Sequence, residues 1–200
     1  MENIVEIKKP RKSVLKIALH SAYAVVVMSV ILGLAYPIFT TFVANLLFPH
    51  QANGSIIEYE NRSVGSELIG QDFNKLGYFM SRPSANGYDG AASSGSNFSA
   101  SNPKQAVAIK ERETFWKEHI DPNIKIPADL LTASASGIDP HISYEAAIYQ
   151  IPVVMKNTGL SESQLRVLID QSSIANLIKG SGMVNVLKLK IAVDKLVKQK

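Results

Sequence analysis

Cysteine is absent from the 200-residue chain. That excludes a disulfide framework and any thiolate metal site. Tryptophan is almost absent, with Trp116 alone. Several chemistry-bearing patterns are missing too. There is no Gly-x-Ser-x-Gly elbow for a serine nucleophile, and no Gly-Lys-Ser/Thr follows Gly65 or Gly70 to complete a phosphate loop. The sequence pI of about 9.2 invites a nucleic-acid reading. No basic patch with interleaved aromatics supports it, so no nucleic-acid partner is expected. The most informative absence is of charge: between Lys16 and Glu58 the chain carries no Asp, Glu, Lys or Arg.

That uncharged stretch organises the rest. Ile17 to Tyr36 is interrupted only by His20, Ser21, Ser29 and Gly33, and as a helix it is about 30 Å long, enough to cross the hydrocarbon core of a bilayer. A backbone in lipid must satisfy its own hydrogen bonds, which makes a spanning helix the natural reading of residues 17–37. Pro37 removes a donor, so the apolar continuation to Phe48 is expected as a kinked extension or an interfacial segment. A cleavable signal peptide is the rival. The run is longer than the usual hydrophobic region of a signal, and Tyr36, Phe39 and Phe42 stand where small residues are wanted.

Flanking charge sets the expected orientation. Residues 1–16 hold five of the 21 Lys and Arg and two of the 17 Asp and Glu, a net +3 of the whole chain's +4. Basic residues beside a span favour the cytoplasmic side. The expectation is a cytoplasmic tail over 1–16, a single transmembrane helix, and an extracytoplasmic domain over 49–200 of mixed α+β class.

Within that domain, Ile56–Tyr59 and Ser63–Ile69 read as a hairpin turning at Asn61-Arg62, with a third short strand over 77–82. Residues 83–103 are rich in Gly, Ser, Asn and Ala, the composition of a long loop. Asn102-Pro103 with Gln105 predicts a capped helix reaching His119. Asp139-Pro140 turns into a short helix capped by His141 or Ser143 and ending near Tyr149. Pro152 restarts the helical pattern, Gly159 ends it, and Ser161 to Gln164 forms a second capping box. A turn at Gly180 and Gly182 precedes a last helix whose inner face is Val186, Leu189, Val193 and Leu196.

Residues 126–150 place Asp129, Asp139 and His141 near Ser134, Ser136 and Ser143, which raises a secreted serine hydrolase released by signal cleavage as the alternative function. Triad members converge in space rather than in sequence, so adjacency is poor support. One His with two Asp is likewise a weak metal set. No catalytic and no metal residue is expected. The segments 82–97 and 128–143 read instead as recognition surfaces, with Arg82, Ser84, Asn97, Asp129, Asp139 and His141 as candidate partner contacts.

The motifs GLAYP (33–37), LFPHQANGSI (47–56), VGSELIGQDF (64–73), YFMSRPSANGYD (78–89), SGSN (94–97), DLLTASASGIDPHIS (129–143) and VNVLKL (184–189) together resemble the C subunit of the bacterial Kdp-type potassium-transporting P-type ATPase. They appear in family order over nearly the whole chain. The resemblance implies a single-pass subunit of the inner membrane without catalytic residues of its own. Its implied partners are a channel-like potassium-binding subunit, the ATP-hydrolysing subunit and a small single-span subunit. The family is described as a catalytic chaperone that raises the ATP affinity of the hydrolysing subunit. On that description ATP would be shared with that subunit rather than held tightly, and Gln71, at the end of a segment faintly like Ser-Gly-Gly-Gln, is the nucleotide-related candidate. Val153, Thr158 and Lys190 depart from the family's usual arginines and asparagine.

Overall fold

The computed structural model describes residues 13–73, 76–174 and 182–199. The chain forms two compact units, Met1–Asn53 and Gly54–Lys200.

In the first unit, α1 (Val14–Val30) continues through a π-helical turn (Ile31–Ala35) into α2 (Tyr36–Leu47). The whole helix, Val14–Leu47, runs 34 residues with no buried residue, and its most apolar stretch of 18 residues has a mean hydropathy of 2.1. Pro37 lies just beyond the π turn. A proline ring clashes with the carbonyl four residues back, and a widened turn relieves that clash without ending the helix. The apolar continuation is thus helical, and at about 50 Å the helix exceeds a bilayer's hydrocarbon thickness. Polar side chains here bond back to their own backbone: Thr40 Oγ1 donates to the Tyr36 and Pro37 carbonyls, and Asn45 Nδ2 to the Thr41 carbonyl. Such bonding leaves little polar surface for lipid to meet. A single turn, α3 (Pro49–Ala52), follows. Of the basic tail, only Lys16 falls within the described residues.

The second unit opens with the hairpin of β1 (Ile56–Tyr59) and β2 (Arg62–Ser66). Its turn residues are Glu60 and Asn61, both at positive φ, the type I′ geometry that matches strand twist. The turn is therefore one residue earlier than expected. A bulge between Ile57 and Glu58 places Val64 opposite no partner, and the strand stops at Ser66 rather than Ile69.

The expected third strand over 77–82 does not form; the segment starts in a turn at Gly77 and a bend at Tyr78 and joins no sheet. Its partner is a side chain. Gln150, 1% exposed, accepts the Met80 N–H through Oε1 at 2.7 Å and donates through Nε2 to the Met80 carbonyl at 3.2 Å. One amide thus does for Met80 what a neighbouring strand would do.

Helix α4 (Pro103–His119) begins as expected, with Asn102 accepting from the Lys104 N–H in place of the reciprocal box anticipated with Gln105. The short α5 (Ala128–Leu131) follows, and β3 (His141–Ser143) pairs antiparallel with β4 (Met183–Asn185). Helix α6 (Tyr144–Thr158) is capped by Ser143 and ended by Gly159 at φ 68°. It runs unbroken through Pro152, against the expectation of two pieces. An interior proline costs about 3 kcal/mol, whereas α6 buries Ile151, Val153 and Val154 together with Ala146 and Ala147. Each large apolar side chain buried contributes about 1.5–3 kcal/mol, so packing outweighs the proline.

Helix α7 (Glu162–Ser172) starts at the expected Ser161–Gln164 capping box, and α8 (Val186–Lys198) is capped by Asn185. Val186, Leu189 and Val193 are buried on α8, and Leu196 packs against the core. The core gathers α6, α7, α8 and the β3–β4 ribbon around Phe79, Leu130, Ile142, Val154, Leu165, Ile169 and Val184. Gly180 lies outside the described residues.

A candidate docking surface built from two interlocked loops

Two stretches without regular structure, residues 67–73 with 76–102 and residues 132–140, are tied together by backbone and small side chains. The Gly70 N–H donates to the Ile138 carbonyl at 2.7 Å, and the Ser134 N–H to the Pro83 carbonyl at 3.0 Å. Ser93 Oγ donates to the Ser136 carbonyl at 3.0 Å. Gly137 sits at φ +72°, where a Cβ would lie 2.4 Å from Asn86 Oδ1 and 2.5 Å from the Ser94 carbonyl oxygen. The abundance of Ser, Gly, Asn and Ala in both segments follows from this contact: two backbones approach closely, and no bulky side chain fits between them.

Ser84 organises the first loop. Its Oγ donates to Asn86 Oδ1 at 2.7 Å and accepts the N–H groups of Asn86 and Tyr88. Tyr88 closes the turn by donating its hydroxyl to the Arg82 carbonyl at 2.8 Å. Burial, with help from the Asp72 charge, pushes that hydroxyl up to about 12.

The structure brings Arg82, Asp139 and His141 together. Arg82 Nη1 donates to Asp139 Oδ2 at 3.3 Å, with side chains 25% and 23% exposed. Arg82 Nε is buried and has no hydrogen-bond partner among the described residues. Asp139 Oδ1 accepts the His141 N–H at 3.0 Å and lies 3.9 Å from the ring Nδ1. The other ring nitrogen, Nε2, is 3.4 Å from Asn185 Nδ2. That amide is oriented by its other bonds: Nδ2 donates to the Glu67 carbonyl at 2.7 Å, and Oδ1 accepts the Lys188 N–H at 3.1 Å. Nε2 therefore faces a donor and is the accepting, unprotonated nitrogen of a neutral ring. Burial lowers the His141 pKa and Lys188 adds to the effect, while Asp139 and Glu67 oppose it. Lys188 in turn forms an ion pair with Glu67.

The remaining candidates stand apart from that cluster. Asp129 accepts the Ser143 N–H at 2.7 Å and so fixes the start of α6. Asn97 is exposed at φ +52°. Gln71 is engaged within the domain: its Nε2 donates to the carbonyl of the bulged Val64 at 2.8 Å. Gly65 makes room for it, since a Cβ there would fall 1.9 Å from that nitrogen.

Nothing in this arrangement forms a nucleophile–base pair. Ser134 Oγ accepts the Gly137 N–H, Ser136 Oγ the Ile138 N–H and Ser143 Oγ the Ala146 N–H. Among the described residues no serine bonds to His141, and no group of three or more His, Cys, Asp and Glu is placed to hold a metal.

Reasoning from sequence missed Gln150, Asn185 and Tyr88, the residues that fasten these loops. Only Tyr88 had a local signal, as an aromatic inside a Gly/Ser/Asn-rich loop. At the departures from the family pattern, Val153 is buried and Thr158 Oγ1 donates to the Val154 carbonyl. Lys190 Nζ stands over the Phe73 and Tyr78 rings, 4.4 and 5.1 Å from their centroids.

Comparison with known proteins agrees over the length of the chain. The family described as "KdpC: K+-transporting ATPase, c chain" matches residues 18–195. A "Potassium-transporting ATPase KdpC subunit" of Pectobacterium atrosepticum is 47% identical over 180 residues, 87% of this chain and 94% of the relative. Proteins of the same name from Caldanaerobacter subterraneus subsp. tengcongensis and Herpetosiphon aurantiacus are 45% and 44% identical, each over 86% of this chain and over 92% and 93% of the relative. With its long apolar helix, the chain is a membrane protein, and it belongs to the KdpC family, the c chain of the K+-transporting ATPase.

Proposed function

We propose that the chain is an accessory, non-catalytic subunit of an ATP-driven potassium uptake complex, and that it docks on its partners through the loops around Arg82 and Asp139. The family match over residues 18–195 carries this reading. The absence of a serine–histidine bond among the described residues counts against the hydrolase alternative. In this account the N-terminus is cytoplasmic, as the five basic residues of the tail favour, and the domain of residues 54–200 lies outside the cytoplasm. The partners are a channel-like potassium-binding subunit, the ATP-hydrolysing subunit and a small single-span subunit.

The docking role rests on the half-buried Arg82–Asp139 pair and the rigid turn beside it. Arginine held at a preformed surface is the kind of anchor that dominates interface energetics. Any effect on ATP affinity then reaches the hydrolysing subunit through assembly, because the Gln71 amide is engaged by Val64 and, in this orientation, faces away from cytosolic ATP. The test is recovery of the assembled complex and its potassium-stimulated ATP hydrolysis when Arg82 or Asp139 is replaced.

A further inference from the structure

Several parts of the second unit meet at the ring of His141, whose side chain is 23% exposed. Asp139 faces it from its own segment and is shared with Arg82 of the first loop. Glu67 and Lys188 face it as an ion pair, one from the stretch after β2 and the other from α8. Asn185, at the end of β4, lies against Nε2 at 3.4 Å. That amide is not free to turn over and suit the ring, because Oδ1 accepts the Lys188 N–H and Nδ2 donates to the Glu67 carbonyl. The neutral ring therefore carries its one proton on Nδ1 and accepts at Nε2.

A second proton goes to Nε2 and changes two contacts at once. Nε2–H then points at Asn185 Nδ2–H, donor against donor, in place of the hydrogen bond. On the other side of the ring, Nδ1 is 3.9 Å from Asp139 Oδ1, too far for a hydrogen bond while the ring is neutral. An imidazolium there attracts the carboxylate in competition with Arg82. Arg82 holds it weakly, since 3.3 Å from Nη1 to Oδ2 is long for a charge-assisted bond. Burial keeps the His141 pKa below its ordinary value, so the rearrangement belongs to an acid medium and not to neutral pH.

We propose that His141 is a proton-sensitive switch on the docking surface. With the ring neutral, Asp139 holds Arg82 in the position that partner subunits meet. With the ring protonated, Asp139 turns to the imidazolium and docking weakens. In the orientation proposed above the domain meets the external medium, so acidification outside the cell acts on it directly. The inference rests on the docking reading of Arg82 and Asp139.

The experiment uses the full chain in the purified complex, immobilised through another subunit and washed at about pH 7.5 and about pH 5. Retention of the parent chain should fall about tenfold at the lower pH, the equivalent of one charge-assisted contact. His141→Gln accepts from Asn185 without becoming a cation and should be retained alike at both; His141→Lys should be poorly retained at both. Trp116 fluorescence of each chain in detergent reports folding at each pH. Nitrogen-15 spectra of labelled histidine, with the exposed His20, His50 and His119 replaced by Gln, follow the His141 ring itself. Equal retention of the parent at both pH values overturns the switch. So does an acid loss that His141→Gln shares, or one that accompanies unfolding at Trp116. In any of these cases, loss of a folded Arg82→Ala chain at the higher pH leaves the docking reading standing, and its full retention removes that reading too. Should the His141 variants not fold, the ring spectrum decides: retention falls with the midpoint at which Nε2 takes its proton, and a different midpoint overturns the inference.

Discussion

Replacing Gln150 by leucine tests how the domain is held together. Gln150 is buried, and its amide pairs with both the backbone N–H and the carbonyl of Met80 in addition to donating to the Ala146 carbonyl at 3.2 Å. Leucine fills most of the same space but leaves the Met80 N–H and carbonyl without partners. Each buried group so orphaned costs about 1–3 kcal/mol. Met80 is only half-buried, so water relieves part of this, and the expected loss is about 2–4 kcal/mol. For a unit of about 150 residues that lowers Tm by about 5–15 °C. Trp116 is the only tryptophan, 4% exposed, and its ring packs edge-on against Tyr149, next to Gln150. Its fluorescence during thermal unfolding of the full chain in detergent therefore reports this site. Gln150→Glu adds a sign test. An ionised carboxylate facing the Met80 and Ala146 carbonyls is disfavoured, which raises its folded pKa; the variant should regain stability as pH falls and lose it as pH rises through that value. A Gln150→Leu protein melting within about 2 °C of the parent would refute the claim that this amide substitutes for a strand.

Two further outcomes are expected. The folded pKa of His141 is lowered below its ordinary 6.5, so the unfolded chain takes up the proton first. The stability contributed by the neutral ring is complete above about pH 6.5 and is lost as pH falls through the lower folded value. His141→Gln should remove that part of the pH dependence between about pH 7 and 5 in urea unfolding curves, and an unchanged slope would contradict the assigned hydrogen bonds. For orientation, a tag at the N-terminus should be protected from protease in intact cells and a tag after Lys200 should be cleaved; the reverse pattern would invert the topology.

What could be read from the sequence was local. The Asn102 cap, the Ser161–Gln164 box and the Gly159 terminator each depend on residues within one helical turn, and the structure reproduces them. The uncharged run announced the long helix because length and hydropathy need no tertiary context. Pro152 misled for the complementary reason: the local rule breaks a helix there, but burial of Ile151, Val153 and Val154 overrides it. The segment over 77–82 carried a strand's composition, yet its partner, Gln150, is about 70 residues away and is a side chain. The site shows the same divide. Arg82, Asp139 and His141 were legible as polar residues in unusual loops. Asp129 was expected as a partner contact and Gln71 as the nucleotide-related residue, and only the fold shows that they bond to the Ser143 and Val64 backbone.

Retention of the subunit by the assembled complex tests the central claim most directly. Arg82→Ala, Asp139→Ala and the double variant are each purified with the other subunits, and recovery is measured beside potassium-stimulated ATP hydrolysis. Unfolding followed at Trp116 identifies variants that keep the domain folded. The account predicts that folded variants are lost from the complex and that hydrolysis falls in parallel, with the double variant no worse than the sum of the two. Full retention of a folded double variant at unchanged potassium-stimulated hydrolysis would contradict it.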